Sequence, residues 1–410
     1  MARVLLLLPT TTYRTPDFMR AARALGVEVS VGVEEMSAVE HLNPAGLLTL
    51  DFRDPAACAR VAAAWARTTP VDAVVGVDED SVVAASMIAE ALGLPHNPVE
   101  AVAAARHKGR LREALARAGA PSPSHRLLTL DGDARKAARS TAYPCVLKPT
   151  FLAGSRGVIR ADDPAEFERA WRRIAAILAA PELVRRGGEA AREILVEDFV
   201  GGVEVALEGL LTDGRLETLA LFDKPDPLDG PFFEETIYVT PSRLPEDAQA
   251  AVRAAAESGA RALSLANGPV HAELRWNDGG AWIIELAARS IGGLCSRTLR
   301  FGTGVSLEEL VLRQALGRER PAVSLDGRAA GVMMIPVPRE GVLERVEGLD
   351  AAGAVEGIEA VTISAHPGER LVPWPEGSRY PGFIFARCAS PEQAEAALRE
   401  AHRRLTFRMA

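Results

Sequence analysis

Two acidic residues on a predicted β-hairpin are the side chains in this sequence best suited to chemistry. Glu273 and Glu285 lie in apolar stretches on either side of the polar turn Asn277-Asp-Gly-Gly280. This pattern predicts two antiparallel strands, on which both carboxylates can lie on one face. Paired carboxylates bind hard divalent cations, and Arg289 follows where its guanidinium can hold a phosphate or a carboxylate. The alternative is that both acids face solvent.

Lysine is scarce in this chain, which uses arginine at almost every basic position. Only four of its 47 basic residues are lysine: Lys108, Lys136, Lys148 and Lys224. A lysine ammonium is a compact point charge whereas arginine is a planar fork, so a retained lysine indicates a contact that the fork cannot make, such as one with a phosphate oxygen. Chance retention is the alternative, and Lys136 on a predicted exposed helix fits it.

A glycine-containing loop follows the apolar strand that ends at Lys148. It contains Gly154, Ser155, Gly157 and Val158. Successive backbone N–H groups in such a loop can surround a phosphate, because small residues permit close approach. A plain hairpin connection is the alternative.

Two further stretches could line a ligand. Glu197 ends an apolar stretch, and Glu204 follows a Gly-Gly bend, an arrangement that could hold a base through linker amides and a ribose through a carboxylate. Downstream, Lys224 precedes Glu235 and Tyr238, which together suit the wall of a ligand site. The alternative for Glu197 and Glu204 is that they are acids on an edge strand. The alternative for Lys224 and its neighbours is a surface ion pair.

Overall composition is that of a globular protein with no polyanion partner. The chain has 410 residues and a net charge of −8, and non-specific nucleic-acid binding requires a basic surface instead. Its four cysteines are far apart, which predicts neither a disulfide framework nor a zinc site. No apolar stretch is long enough to span a bilayer, so we expect a cytoplasmic protein without a membrane partner.

The elements that must position these residues predict an α/β and α+β multidomain fold. Up to Pro95, strands alternate with helices, which favours a parallel sheet covered on both faces. One helix then carries Lys108 and ends at Gly119. Beyond it, closely spaced strands, including 145–149 and 232–239, favour antiparallel lobes, and a smaller αβ unit follows from Ala329.

The order of these motifs resembles the ATP-grasp superfamily. The motifs follow one another along the chain as they do in that superfamily. In order, they are Lys108, Lys148, the glycine-containing loop, the acids after residue 196, and the carboxylate pair with Arg289. Within it, the chain is most similar to the L-amino-acid ligases, through Lys224 and its neighbours and through C-terminal segments near residues 341 and 381. The resemblance implies an N-terminal αβ domain over 1–95, an ATP-grasp domain over 96–318 with a lid lobe at about 124–200, and a small αβ domain over 319–410.

The resemblance also implies roles for individual residues. ATP would be bound by Lys108, Lys148, Gly154, Ser155, Gly157, Val158, Glu197, Phe199, Val200 and Glu204. One or two Mg²⁺ ions, with Mn²⁺ as a substitute, would be bound by Glu273 and Glu285. Arg289 would be catalytic and also contact substrate, with Lys224, Glu235 and Tyr238 as the other substrate contacts.

The implied activity is ATP-dependent amide formation between a small-molecule carboxylate, such as that of an amino acid, and an amine, through an acyl phosphate. The class also allows a homodimer. Two residues depart from the pattern: Ala287 replaces an asparagine common in ATP-grasp enzymes, and Tyr238 stands where amino-acid ligases often have histidine. The alternatives are a biotin-carboxylase-like or glycinamide-ribonucleotide-synthetase-like enzyme and a non-catalytic nucleotide-binding protein.

Overall fold

The N-terminal strands form a parallel sheet. The computed structural model describes residues 1–35, 43, 45–301, 304–321, 325 and 327–410. The first four strands are β1 (Arg3–Leu7), β2 (Glu28–Val33), β3 (Leu47–Thr49) and β4 (Ala73–Gly76), arranged in the order β3-β2-β1-β4. The continuous apolar sequence of β1 is buried from Val4 to Leu7, as expected for a central parallel strand covered on both faces.

Helices cover this sheet and lead out of it. They are α1 (Thr15–Ala24), α2 (Pro55–Ala66), α3 (Val82–Ala91), α4 (Val99–Arg106) and α5 (Lys108–Ala118). The Asp54 carboxylate caps α2 by accepting a hydrogen bond from the Ala57 backbone N–H, ahead of a proline at the first helical position. The carboxyl end of β4 leads into Asp78, Glu79 and Asp80, which therefore lie at one edge of the sheet.

A second, antiparallel sheet follows, with helices on one side. Its strands are β5 (His125–Thr129), β6 (Cys145–Pro149), β7 (Ile159–Ala161) and β8 (Glu193–Asp198), in the order β5-β8-β6-β7. The helices are α6 (Ala134–Arg139), α7 (Pro164–Leu178) and α8 (Pro181–Gly187), and a short 3₁₀ helix spans Gly188–Arg192. The apolar face of α7 buries Phe167, Trp171 and Ile174 in the core of this lobe.

The largest sheet has eight strands and every neighbouring pair in it is antiparallel. Its strands are β9 (Val203–Thr212), β10 (Arg215–Lys224), β11 (Ile237–Thr240), β12 (Gly268–Asn277), β13 (Gly280–Ala287), β14 (Ala329–Met334), β16 (Ile358–Ile363) and β18 (Gly382–Cys388). They lie in the order β13-β12-β9-β10-β11-β14-β18-β16. Helix α9 (Glu246–Ala262) packs on β12 and β13, and a 3₁₀ helix (Cys295–Thr298) and α10 (Leu307–Ala315) follow.

The C-terminal residues add a small three-stranded sheet. It consists of β15 (Gly341–Glu347), β17 (Arg370–Leu371) and β19 (Thr406–Met409), with β15 in the centre. Helices α11 (Leu349–Gly353) and α12 (Pro391–Arg403) complete this part, and α12 packs on β14 and β18. The eight-stranded sheet thus continues across residue 318, and the domain limits given above stay a prediction.

The mixed α/β and α+β architecture is confirmed, but two predicted elements are wrong. The helix expected to carry Lys108 is two helices, because His107 is extended and caps α5 by accepting a hydrogen bond from the Arg110 N–H. The strand expected over 232–239 covers only Ile237–Thr240, and Phe232 makes an isolated bridge to Ile159 instead.

The four cysteines lie inside the protein. Cys58, Cys145, Cys295 and Cys388 are all buried and free. Among the described helices, none has the length and apolar character that crossing a bilayer requires.

Candidate active site

An open cavity lies between the four-stranded antiparallel sheet and the eight-stranded sheet. Strands β6 and β8 form one wall, and β9, β12 and β13 form the other. The cavity brings together predicted nucleotide and metal residues that are far apart in sequence: Lys108, Lys148, Ser155, Val158, Glu197, Phe199, Val200, Glu204, Glu273 and Glu285. The proposed roles of these residues stay predictions, but their convergence on one cavity is a property of the fold.

Lys148 is buried in a network of charges at the end of β6. Its ammonium is paired with the Glu197 carboxylate on the neighbouring strand β8. Arg112 of α5 donates to the same carboxylate, with Nε 2.9 Å from Glu197 Oε2. Burial opposes ionisation of Glu197, but Arg112 and Lys148 outweigh it and hold the pKa of Glu197 below its usual value. The Glu197 side chain therefore fixes a lysine at the cavity.

Lys108 reaches the cavity from the first turn of α5. Its Nζ lies 2.7 Å from the Leu152 carbonyl oxygen and 3.1 Å from Glu285 Oε2. The backbone N–H of Lys108 donates to the Thr150 carbonyl. These contacts join the start of α5 to the glycine-containing loop and to β13. Lys108 therefore connects the loop predicted to bind phosphate with Glu285, which is predicted to bind the metal.

Three residues of the loop after β6 have backbone angles in the left-handed region. The φ angles are 63° at Gly154, 56° at Ser155 and 74° at Gly157. A Cβ at Gly157 would come within 2.8 Å of Pro149 Cγ, so this position also requires close packing against the strand end. Ser155 and Val158 line the cavity, whereas Gly154 and Gly157 shape the loop.

Lys224 lies among three carboxylates at the end of β10. Its Nζ is 2.8 Å from Glu204 Oε1, 2.7 Å from Glu235 Oε1 and 3.3 Å from Glu273 Oε1. Burial would lower the pKa of Lys224, but these three acids raise it well above its usual value. Lys224 is thus a fully charged ammonium at the centre of the acids, in place of the surface ion pair considered above.

Glu235 and Tyr238 extend this cluster toward the expected substrate wall. The Tyr238 hydroxyl donates to Glu235 Oε2 at 2.7 Å. Burial and the neighbouring Glu273 raise the pKa of Glu235 to about 7, against the opposing effect of Lys224. Burial and Glu235 raise the pKa of the Tyr238 phenol well above its usual value, so Tyr238 acts here as a neutral hydrogen-bond donor.

Glu273 is oriented from behind by a buried histidine. His271 Nδ1 lies 3.2 Å from Glu208 Oε2, and His271 Nε2 lies 3.6 Å from Glu273 Oε1. Burial favours the neutral ring, but the hydrogen bond to Glu208 and the nearby Glu273 carboxylate raise the pKa of His271 to about 9. Burial also opposes ionisation of Glu273, yet Lys224 and His271 hold its pKa well below the usual value. Glu273 is therefore ionised at neutral pH.

Arg289 is held by an acid of the N-terminal part of the chain. Its Nε lies 2.6 Å from Glu79 Oε2. Burial opposes the charge, but Glu79 and Glu285 raise the pKa of Arg289 above its usual value. The next residue, Ser290, accepts a hydrogen bond from the buried guanidinium of Arg14, which also pairs with Glu308. The carboxyl edge of the parallel sheet thus meets the end of β13.

Arg275 and Arg112 are among the site residues that the sequence did not predict. Arg275 is buried, donates to Glu204 and to the Val200 carbonyl, and lies over the Phe199 ring. Alternation along β12 places residues 271, 273 and 275 on one face, so the strand period could have found Arg275. Arg112 gives no such signal, because only the tertiary fold brings its side chain from α5 to Glu197 on β8.

The residues at this cavity fit a hard cation. Glu273 and Glu285 are direct partners in the β12 and β13 register, so their side chains leave the sheet on the same face. Glu204, Glu235 and Glu273 also offer oxygens within 4.8 Å of one another, although Lys224 lies among them. Carboxylate oxygens are the ligands that Mg²⁺ prefers. The assignment of the metal to Glu273 and Glu285 stays a prediction.

Comparison with known proteins identifies three domain families in this chain. Family models match an ATP-grasp N-terminal domain at residues 19–96, an ATP-grasp domain at 141–298 and an L-amino acid ligase C-terminal domain 2 at 333–410. The chain therefore contains ATP-grasp domains and a C-terminal domain of the L-amino acid ligase type, and its relatives include L-amino-acid ligases.

Individual relatives of the chain include amino-acid ligases. Over its whole length the chain matches the crystal structure of an L-amino acid ligase from Bacillus licheniformis, with a TM-score of 0.85, 28% identity and 99% of that chain covered. It is 30% identical to alanine–anticapsin ligase of Bacillus subtilis over 59% of this chain and 53% of that protein. It is also 30% identical to dapdiamide A synthase of Enterobacter agglomerans, over 54% of this chain and 51% of that protein. The matched regions span about half the length of these two relatives.

Proposed function

We propose that the protein is an ATP-dependent carboxylate–amine ligase that joins small molecules, at least one of them an amino acid. The observation that carries this proposal is the convergence of Lys108, Lys148, Glu273 and Glu285 on one cavity, with Arg289 beside Glu285. Two cations, two carboxylates and a guanidinium suit a bound triphosphate and its metal. The relatives named above support amide formation rather than another ATP-grasp reaction.

ATP binding needs an apolar slot as well as charges. The same cavity is also lined by apolar side chains, those of Val146, Val158, Phe199, Phe233 and Ile284. An adenine ring can pack between such side chains, and the backbone at Val200 lies beside them. Lys148, held by Glu197, is placed to contact phosphate oxygens from β6, and Lys108 from α5.

The chemistry that follows needs no protein nucleophile. A substrate carboxylate oxygen attacks the γ-phosphorus, the bond to ADP breaks, and an acyl phosphate forms. The amine nitrogen then attacks the acyl carbon, the bond to phosphate breaks, and a proton leaves the nitrogen. Mg²⁺ bound by Glu273 and Glu285 would supply charge neutralisation on the phosphates. Arg289 would stabilise the charge on the transferred phosphoryl group.

The Lys224 cluster is suited to the amine side of the reaction. Glu235 accepts hydrogen bonds from Lys224 and Tyr238, and its pKa of about 7 allows it to exchange a proton near neutral pH. Tyr238 is neutral and buried, so this wall offers the substrate a hydrogen-bonding group rather than the cation that a protonated histidine would provide. We infer that the substrate on this side differs from those of ligases that carry histidine here.

The test is phosphate release from MgATP with pairs of the twenty amino acids and related acids and amines, with products identified by mass spectrometry. The proposal expects ADP, phosphate and an amide for at least one pair. Phosphate release with bicarbonate but with no amine would support a carboxylase-like reaction instead. ATP binding without substrate-dependent ADP release would support a non-catalytic nucleotide-binding protein.

A further inference from the structure

The C-terminal part of the chain contacts the glycine-containing loop directly. The contacts come from residues 373–376, which follow β17. The Trp374 indole Nε1 donates to the Gly154 carbonyl at 2.7 Å, and the Gly157 N–H donates to the Pro375 carbonyl at 2.9 Å. Arg156 Nε donates to the Glu376 carbonyl at 2.9 Å. Three successive residues of the 373–376 segment therefore hold three residues of the loop.

The 373–376 segment is itself fixed on both sides. The Trp374 ring is buried and stacks on Tyr380, with ring centroids 4.5 Å apart. The Glu376 carboxylate pairs with Arg173 of α7, whose Nη2 lies 2.8 Å from Glu376 Oε2. Arg173 in turn lies over the Phe232 ring. The segment thus bridges the C-terminal part and the lobe formed by the four-stranded antiparallel sheet.

The loop needs such support because its backbone is unfavourable. Ser155 has a φ of 56°, and a residue with a Cβ pays about 1 kcal/mol or more for this region. Gly154 and Gly157 on either side also have positive φ. Hydrogen bonds at Gly154 and Gly157 fix the loop at both of these positions, with Ser155 between them directed at the cavity.

We propose that the 373–376 segment is a positioning element for the loop over the ATP phosphates. The segment holds the loop in its phosphate-covering conformation before nucleotide binds, and its main effect is to keep water from the acyl phosphate. The inference rests on the proposed function, because only a reaction with a hydrolysable intermediate needs such protection. Trp374 is a positioning residue and touches no reacting atom.

Two measurements on Trp374→Phe test this inference. The variant keeps an aromatic ring against Tyr380 but lacks the N–H that Gly154 accepts from. Hydrogen exchange of the amides of residues 154–158, measured without nucleotide, should accelerate roughly threefold to tenfold, as expected for the loss of one hydrogen bond. In turnover, the ratio of ADP released to amide formed should rise by a similar factor, because the acyl phosphate is lost to water.

Matched variants separate positioning from general destabilisation. Trp282→Phe removes another indole hydrogen bond, to Asn277 at the β12–β13 turn, and should change neither measurement. Glu376→Gln weakens the pair with Arg173 and should move both in the same direction as Trp374→Phe. Asp131→Asn, which weakens an ion pair with Arg192 on the same lobe, is its control. If Trp374→Phe does not fold, Glu376→Gln carries the test.

The outcomes distinguish this inference from the proposed function. Unchanged exchange at residues 154–158 in both variants would overturn the inference, whatever the enzyme makes. Faster exchange with an unchanged ratio of ADP to amide would show a contact that does not position the loop for the reaction, and would also overturn it. Absence of amide from the wild-type protein with every substrate pair would reject the proposed function and leave the exchange result to decide whether the segment holds the loop.

Discussion

Arg289 Nε and Glu79 Oε2 lie 2.6 Å apart although 210 positions separate them in the chain. This pair joins the carboxyl edge of the parallel sheet to the end of β13, where the predicted metal ligand Glu285 lies. A guanidinium that is oriented before substrate arrives needs no reorganisation during the reaction. The N-terminal part of the chain therefore takes part in building the site and does not merely cover it.

Replacing Arg289 should affect turnover far more than ATP binding. In Arg289→Ala we expect kcat to fall by about 10²–10³, the usual loss for a residue that stabilises charge in the transition state. ATP affinity should stay within about threefold, since Lys108 and Lys148 remain. Initial rates of phosphate release and nucleotide titration measure the two effects. Near-normal turnover of Arg289→Ala with any substrate pair would exclude the catalytic role.

Lys148 should not be replaceable by arginine. Lys148→Arg keeps the charge, but the larger guanidinium has no room where Lys148 is buried between Glu197 and the nearby Arg112. We expect kcat/KM for ATP to fall at least tenfold, about 1.4 kcal/mol, because the point charge leaves the cavity. The matched control is Lys136→Arg on an exposed part of α6, which should change nothing. Equal activity of both variants would contradict the role of Lys148.

The Mg²⁺ requirement should change when either predicted metal ligand loses its charge. Glu273→Gln and Glu285→Gln keep the size of the side chain, so an increased Mg²⁺ concentration for half-maximal rate would report the lost ligand. The control is Glu257→Gln, at an exposed ion pair of α9 with Arg261. If the Mg²⁺ concentration for half-maximal rate were the same in wild type and both variants, Glu273 and Glu285 would not be the metal ligands.

Removal of Lys224 should destabilise the fold in a way that a divalent cation can offset. In Lys224→Met three acids lose their common cation, and we expect the free energy of unfolding to fall by about 3–5 kcal/mol. Because Glu204, Glu235 and Glu273 offer oxygens within 4.8 Å of one another, added Mn²⁺ should restore part of the loss in the variant and do less for wild type. Denaturant unfolding with and without Mn²⁺ provides the measurement. Equal effects of Mn²⁺ on the two proteins would contradict this account.

Glu234 should make stability depend on pH. One of its carboxylate oxygens is buried without a hydrogen-bond partner among the described residues, and burial raises the pKa of Glu234 from 4.5 to about 7. The folded state therefore binds more protons than the unfolded state between these pH values, so stability falls as the pH rises from about 4.5 to about 7.

Glu234→Gln removes this titration, so it is the variant that tests the prediction. The gain in unfolding free energy of Glu234→Gln over wild type should grow from near zero at pH 4.5 to about 1–2 kcal/mol above pH 7, a value reduced for partial exposure. Urea unfolding at four pH values measures it. A difference that does not vary with pH would show that Glu234 titrates normally.

Local sequence patterns predicted the strands of the site well. The strand Cys145–Pro149 matches at both ends, and the polar turn at residues 277–280 connects β12 and β13 as expected. Alternation and turn residues are local properties, so they can be read from a short stretch of sequence.

The ion-pair partners of the charged residues could not be predicted from local sequence patterns. Lys224 meets Glu204 and Glu273 only because β9 lies between β10 and β12, and no local signal gives that strand order. The break before Lys108 has the same origin, since the Lys108 N–H is bonded to Thr150 rather than continuing α4. The sequence therefore identified the charged groups but not the pairs that they form.

Continuity of the eight-stranded sheet limits how this chain can be recombined with others. Strand β11 pairs with β14, and β14 pairs with β18, so the C-terminal part is not an exchangeable module attached by a linker. A chimera cut near residue 318 would pair β11 with a foreign strand in place of β14, and any mismatch would leave backbone N–H and C=O groups of β11 unpaired, a template for aggregation. Recombination among such ligases should therefore move β11, β14 and β18 together with the 373–376 segment.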